Sequence, residues 1–150
     1  MSTRRRAREV ILQILFQRDM NPDADVDNEF QFLNSRLNGK AVIVHFAESL
    51  LNGVRNHREE IDKALQETAE NWKLSRMAVT DRNILRLATY EILFCSDTPG
   101  RVAINEAIEL AKRYGTNNSF QFVNGILDRL HNSIDKTTAI DDETSANSGN

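Results

Sequence analysis

The 150-residue chain has one cysteine, two prolines, six glycines and no long apolar run. Cys95 alone excludes an internal disulfide and any zinc site built on paired cysteines, a usage that fits the reducing cytoplasm, the expected location. No apolar stretch approaches the roughly 18 residues of a membrane span, and no cleavable apolar segment follows the basic start. Scarce proline and glycine argue against an all-β fold rich in turns and favour helices. GxGxxG, GxxxxGK[ST], GxSxG and HExxH are all missing. His45, His57 and His131 have no metal-ligand spacing to one another or to an acid. Glu106 and Glu109 read as a solvated helix face, and Cys95 as a small buried hydrophobe. The chain therefore reads as a non-enzyme with no metal or cofactor.

What is present is an ordinary globular composition, 40% hydrophobic and 27% charged, with a net charge of −3. That suits one domain with its own core. The charge is unevenly placed. Residues 1–18 hold Arg4, Arg5, Arg6, Arg8 and Arg18 against one acid, Glu9, whereas residues 19–29 hold five acids and no base. Arginine outnumbers lysine 14 to 5, and its planar fork suits phosphates and base stacking. A local basic patch binds phosphates whatever the total charge; a solvated basic helix start is the plain alternative.

Hydrophobic periodicity predicts seven helices in an all-α bundle. The first spans about Thr3 to Met20, with Ala7, Ile11, Ile14 and Leu15 on one stripe and Phe16 off it. Asp27 caps a second with Phe30, Leu33 and Leu37 on its face, broken at Asn38-Gly39. The third carries Ile43 to Val54, and the fourth runs from Arg58 to Trp72. A fifth opens at Thr80-Asp81, with an acid favourable to the helix dipole. The sixth reads Val102 to Tyr114, with Gly115 placed where a left-handed C′ residue is wanted. The seventh starts near Asn118 or Ser119. Gly125 inside it points to close helix packing. Residues 1–133 make the domain, and 134–150 read as a polar, acidic, disordered tail.

The junction of the last two helices gathers chemistry. Lys112 and Arg113 precede Gly115, Thr116, Asn117, Asn118 and Ser119, then Phe120 and Phe122. Cations, amide edges, free N–H groups at a helix start and aromatic faces are the mix that single-stranded RNA recognition uses. From spacing alone, a plain helix–loop–helix with Phe in the core stays open. Phe122 is the better stacking candidate, at the edge of its stripe.

Several stretches resemble the NusB family of bacterial transcription antitermination factors. They are Arg4-Arg5-Arg6-Ala7-Arg8-Glu9, Ile84 to Ile92, Val102 to Lys112, and Phe122-Val123-Asn124-Gly125-Ile126-Leu127-Asp128. The resemblance covers about Arg4 to Leu130, and its stretch from the sixth to the seventh helix is highly specific. It implies an all-helical fold in two packed subdomains. It also implies pairing with NusE, a small-subunit ribosomal protein. Together they would bind the single-stranded boxA element of nascent ribosomal RNA leaders, so that RNA polymerase with other Nus factors reads through terminators. The implied RNA face is Arg4, Arg5, Arg6 and Arg8 with Lys112 to Phe122; the implied NusE face includes Phe16, Asp81, Arg82 and Glu91. Thr116-Asn117-Asn118 lacks the acids that some relatives carry. The few basic groups and the net negative charge imply modest affinity alone, with partner contacts added along one RNA path.

Other readings remain. One is a protein-interaction module, including a homodimer covering the RNA face. Another is a regulatory module of a ribosomal RNA methyltransferase system, whose glycine-rich catalytic domain has no room in these residues. A helix-turn-helix DNA reader fits poorly, because no one helix concentrates the basic residues.

Overall fold

A computed structural model describes residues 3–23 and 27–148, with the backbone alone for 27 and 135–148. Among the described residues the elements are α1 (Thr3–Met20), α2 (Asp27–Arg36), α3 (Ala41–Asn56), α4 (Arg58–Thr68), a 3-10 turn (Leu74–Arg76), α5 (Val79–Phe94), α6 (Gly100–Tyr114) and α7 (Ser119–Ser148). None is a strand, so the fold is all-α as expected, and no described helix is long and apolar enough to cross a membrane.

α1, α2 and α3 pack together as one group, and α4 to α7 as another. α5 joins them: it lies against α1, α3, α4, α6 and α7. Its Ile84, Leu85, Leu87 and Ala88 are buried in a core cluster that reaches from Ala7 to Leu130. α1 contributes the expected stripe, with Ala7, Ile11, Ile14 and Leu15 buried and Val10 and Leu12 beside them. Each large side chain so buried stabilises by roughly 1.5–3 kcal/mol. That sum outweighs any ion pair, so the stripe docks α1.

Polar contacts then fix how α1 is seated. Arg8 donates to both carboxylate oxygens of Glu91 on α5, at 2.7, 3.1 and 3.2 Å. The two side chains are only 5% and 1% exposed. At the other end of α1, Asp19 accepts from Arg82 (2.8 Å), Asn83 (2.9 Å) and Arg86 (3.0 Å) of α5. Arg86 reaches on to Asp62 of α4 at 2.9 and 3.2 Å. Burial pushes the Asp19 carboxyl up. The hydrogen bonds from Arg82 and Asn83, with the charges of Arg82 and Arg86, outweigh it and hold the group below its ordinary value.

Some sequence expectations are corrected. α4 ends at Thr68, not Trp72. The Thr68 hydroxyl bonds back to the Ala64 carbonyl (2.8 Å), and the Gln66 amide holds the next turn by donating to Trp72 O (3.0 Å) and accepting from Leu74 N (3.1 Å). These local bonds compete with helix continuation. Phe30 is half exposed, and Phe32 packs against the core in its place. The Asp27 cap lies outside the described side chains. α6 begins at Gly100, two positions before the expected Val102. Asn38 and Gly39 do break α2, both at positive φ, 56° and 63°. A Cβ on Gly125 would meet nothing within 4 Å, so close packing is not its reason, and nothing in the structure explains it. The α7 backbone stays helical through 134–148, where the composition predicts a disordered tail. No proline or glycine interrupts 134–147, and Ile134 still packs against the core. Residues 149 and 150 lie outside the described residues.

Glu91→Ala, which strands a buried guanidinium, is expected to cost about 3–5 kcal/mol in chemical denaturation. Replacing both partners, as Arg8→Met with Glu91→Leu, is expected to recover most of that loss. Equal losses for the single and double variants would show that the pair does not act as a pair. Asp19 has a depressed folded pKa. Its stabilisation is present above the unfolded value of about 3.9 and is lost as pH falls through the lower folded value. Asp19→Asn is therefore expected to flatten the acid limb of stability against pH, measured by thermal melts below about pH 5. An unchanged limb would show that the network contributes nothing there.

Candidate nucleic-acid interface

The start of α1 and the end of α6 meet to form one cleft. The buried α1 stripe begins at Ala7, which leaves Arg4, Arg5 and Arg6 on the first turn outside the core. The α6 stripe of Ala103, Ile104, Ala107, Leu110 and Ala111 is buried, leaving Lys112 and Arg113 exposed in the last turn. Arg5 clamps the two helices by donating from Nε and Nη2 to the two oxygens of Glu106, each at 3.0 Å. The hydrogen bond from Arg5, aided by its charge, overcomes burial and lowers the Glu106 pKa; the same bond raises that of Arg5.

Beneath this clamp Glu9 is 3% exposed. It accepts from Arg6 (3.4 Å), from the Tyr114 hydroxyl (3.0 Å) and from Arg113. Burial, then the bond to Glu9, raises the Tyr114 pKa. Arg5, Glu9, Glu109, Leu110, Lys112 and Arg113 line an open cleft of about 510 Å³. Each cation is held on one side by a carboxylate and turned to solvent on the other: Arg5 is 40% exposed, Arg6 42%, Arg113 49% and Lys112 53%. Cations with defined directions at an open cleft suit a chain of phosphates, which arginine forks bind bidentately. Arg4 stands apart, its guanidinium 4.7 Å above the Phe46 ring.

The turn after α6 is built on Thr116 and Ser119. Thr116 N–H donates to Ser119 Oγ (2.9 Å), the two hydroxyls pair at 3.2 Å, and Ser119 N–H donates to Thr116 O (3.1 Å). These bonds close the turn that leads into α7 and consume the Ser119 side chain. Ser119 is buried, so the expected RNA contact there is corrected to a structural role. Gly115 is also corrected: its φ is −90°, not left-handed. A Cβ there would lie 2.4 Å from Ser119 Oγ and 2.7 Å from Ala111 O, so glycine serves close approach. Thr116, Asn117 and Asn118 are exposed. Lys112 sits 5.5 Å over Phe120. Phe122 is partly buried against the core, edge-on to Trp72 at 5.5 Å.

Two further expectations fall to the buried pair. Arg8 does not face RNA, and Glu91 does not face a partner, because each is spent on the other inside the core. Of the remaining partner candidates, Asp81 is buried with its Oδ1 unpaired among the described residues. Arg82 is committed to Asp19 and to Leu74 O (3.2 Å). Phe16 alone of the four is exposed. It lines a groove of about 430 Å³ with Leu12, Phe32, Arg36, Thr80 and Tyr114, so Thr80 rather than Asp81 reaches that surface. Sequence reading missed Glu9 and Tyr114 as organisers of the cleft, since only the fold shows which acid is buried between cations. It also placed Trp72 at the end of the fourth helix, which stops at Thr68; the lone tryptophan beside Lys73 was the available signal.

The NusB family model matches residues 5–132. The chain is 48% identical over 135 residues to the transcription antitermination protein NusB of Desulfitobacterium hafniense, covering 89% of this chain and 91% of that one. It is 45% identical over 137 residues to the protein of the same name from Desulfosudis oleivorans, at 89% and 88% coverage. T. maritima NusB superposes with a TM-score of 0.77 at 44% identity, covering 86% of this chain and 90% of that one. A chain from a crystal structure of the antitermination factors NusB and NusE in complex with dsRNA superposes at 0.79 and 22% identity, covering 89% and 98%, which shows the shared fold. The fold and the span of these matches lead to one conclusion: the chain belongs to the NusB family.

Proposed function

We propose that this chain is a cytoplasmic transcription antitermination factor, a binding protein and not a catalyst. It acts by holding single-stranded boxA-like RNA together with NusE, within an RNA polymerase antitermination complex with other Nus factors. The observation that carries this reading is the α1–α6 cleft, lined by Arg5, Lys112 and Arg113 with Arg6 bonded to its Glu9, next to the exposed Thr116-Asn117-Asn118 turn. The relatives' shared name, antitermination protein, supports the role, and the related fold in a NusB–NusE complex with RNA supports the partners. The Phe16 groove, apolar and adjacent to Tyr114, is the surface offered to NusE.

Phosphates bound by about four cations give salt-dependent, modest affinity. Base-reading groups on the turn supply preference among sequences. NusE adds interactions along the same strand, so the pair binds more tightly than either alone.

The test is fluorescence anisotropy of a labelled boxA-like strand, with and without NusE, at two salt concentrations, against a scrambled strand. Arg5→Ala with Arg113→Ala is expected to weaken binding and to flatten the log–log salt slope by about one for each phosphate no longer neutralised. Arg8→Ala is expected to lower Tm instead. An unaltered affinity and slope in the Arg5/Arg113 variant, or no preference over the scrambled strand with NusE present, would overturn the reading.

A further inference from the structure

Trp72 is the chain's only tryptophan and is 57% exposed. A large aromatic ordinarily stabilises a fold by burial, and here more than half of it faces solvent. Its backbone is nevertheless held in place. Trp72 N–H donates to Ala69 O at 3.0 Å, and the single Gln66 amide bridges Trp72 O and Leu74 N. The backbone that carries the indole is thus fixed.

The indole also adjoins the proposed RNA surface. Its ring centroid is 5.5 Å from that of Phe122, with 72° between the planes. Phe122 in turn sits on the first turn of α7, its N–H donating to Asn118 O at 3.2 Å. The order from the cleft is therefore Arg113, the Thr116–Asn118 turn, Phe122 and Trp72. Edge-to-face pairing leaves aromatic surface open, and exposure places that surface on the indole. Lys73 follows it, and Arg129 reaches over from α7 to the last α4 carbonyl, Thr68 O, at 3.4 Å. An exposed indole paired edge-to-face with Phe122, close to the turn of amides, with Lys73 next to it in the chain, is the composition of a stacking platform for an unpaired base.

We propose that Trp72 is a further RNA-binding residue, stacking on a base beyond the α6–α7 turn and lengthening the path that begins at Arg5. The inference rests on the RNA reading above. A ring carried on a fixed backbone adds affinity because less main-chain freedom remains to be lost on binding.

The single tryptophan supplies its own probe. The intact chain is titrated with a boxA-like single-stranded RNA while intrinsic emission and RNA anisotropy are followed together. Emission is expected to fall and to saturate with the anisotropy. Trp72→Leu is expected to weaken binding on the order of 10-fold with an unchanged salt slope, because stacking is removed and every phosphate stays neutralised. Trp72→Phe is expected to retain most of the affinity, with circular dichroism confirming helicity. If Trp72→Leu loses helicity, emission and Trp72→Phe decide. Unchanged emission at saturation, or a helical Trp72→Leu that binds like the parent, while Arg5→Ala with Arg113→Ala loses affinity, overturns the inference and leaves the RNA reading standing. No binding by the parent chain, even with NusE present, overturns both.

Discussion

The Arg8–Glu91 pair is the constraint on which the rest of the molecule turns. Two opposite charges lie inside the interface of α1 and α5, each almost fully removed from water. Such a pair contributes little net stability over an apolar replacement, yet removing one partner is costly. Its effect is therefore one of position. α1 can rotate or slide only by stranding a charge, so the pair fixes which face of α1 meets α5 and which meets solvent. Asp19, gripped by Arg82, Asn83 and Arg86, does the same towards the other end of the helix.

That fixed seat makes the functional surface. With Arg8 inward, Arg4, one turn before it, lies like it over the Phe46 ring, while the helical turn of about 100° per residue carries Arg5 and Arg6 away from that face toward the rim. There Arg5 meets Glu106, and Arg6 meets Glu9. Glu9 also takes Arg113 and Tyr114 from the end of α6. The carboxylates hold the guanidinium groups apart and aimed. A net charge of −3 over the chain coexists with a cationic cleft because the acids are placed behind the cations or elsewhere on the surface.

Much of this was legible in the sequence because helical periodicity is a local signal. α1 begins and ends as expected, and its stripe is buried as read. The gathering of Lys112, Arg113 and the amide-rich turn was readable for the same reason. What failed depended on partners distant in the chain. Arg8 and Arg5 are alike in sequence, and only α5 and α6 decide that one is core and the other rim. Gly115 is explained by the hydroxyl of Ser119, which no dihedral preference announces. Trp72 left α4 because one glutamine side chain offered its loop two better-placed hydrogen bonds.

One seated helix thus divides its arginines between the core and the proposed RNA surface. Amide and arginine side-chain NMR shifts of the isotope-enriched chain, followed as a boxA-like strand is added, test that division most directly. The expected result is shifts concentrated at Arg4 to Arg6 and at Lys112 to Asn118, with Arg5 and Arg113 side-chain signals moving and those of Arg8 still. Shifts centred on α2 and α3, or an Arg8 signal that moves with the RNA while Arg5 does not, would contradict it.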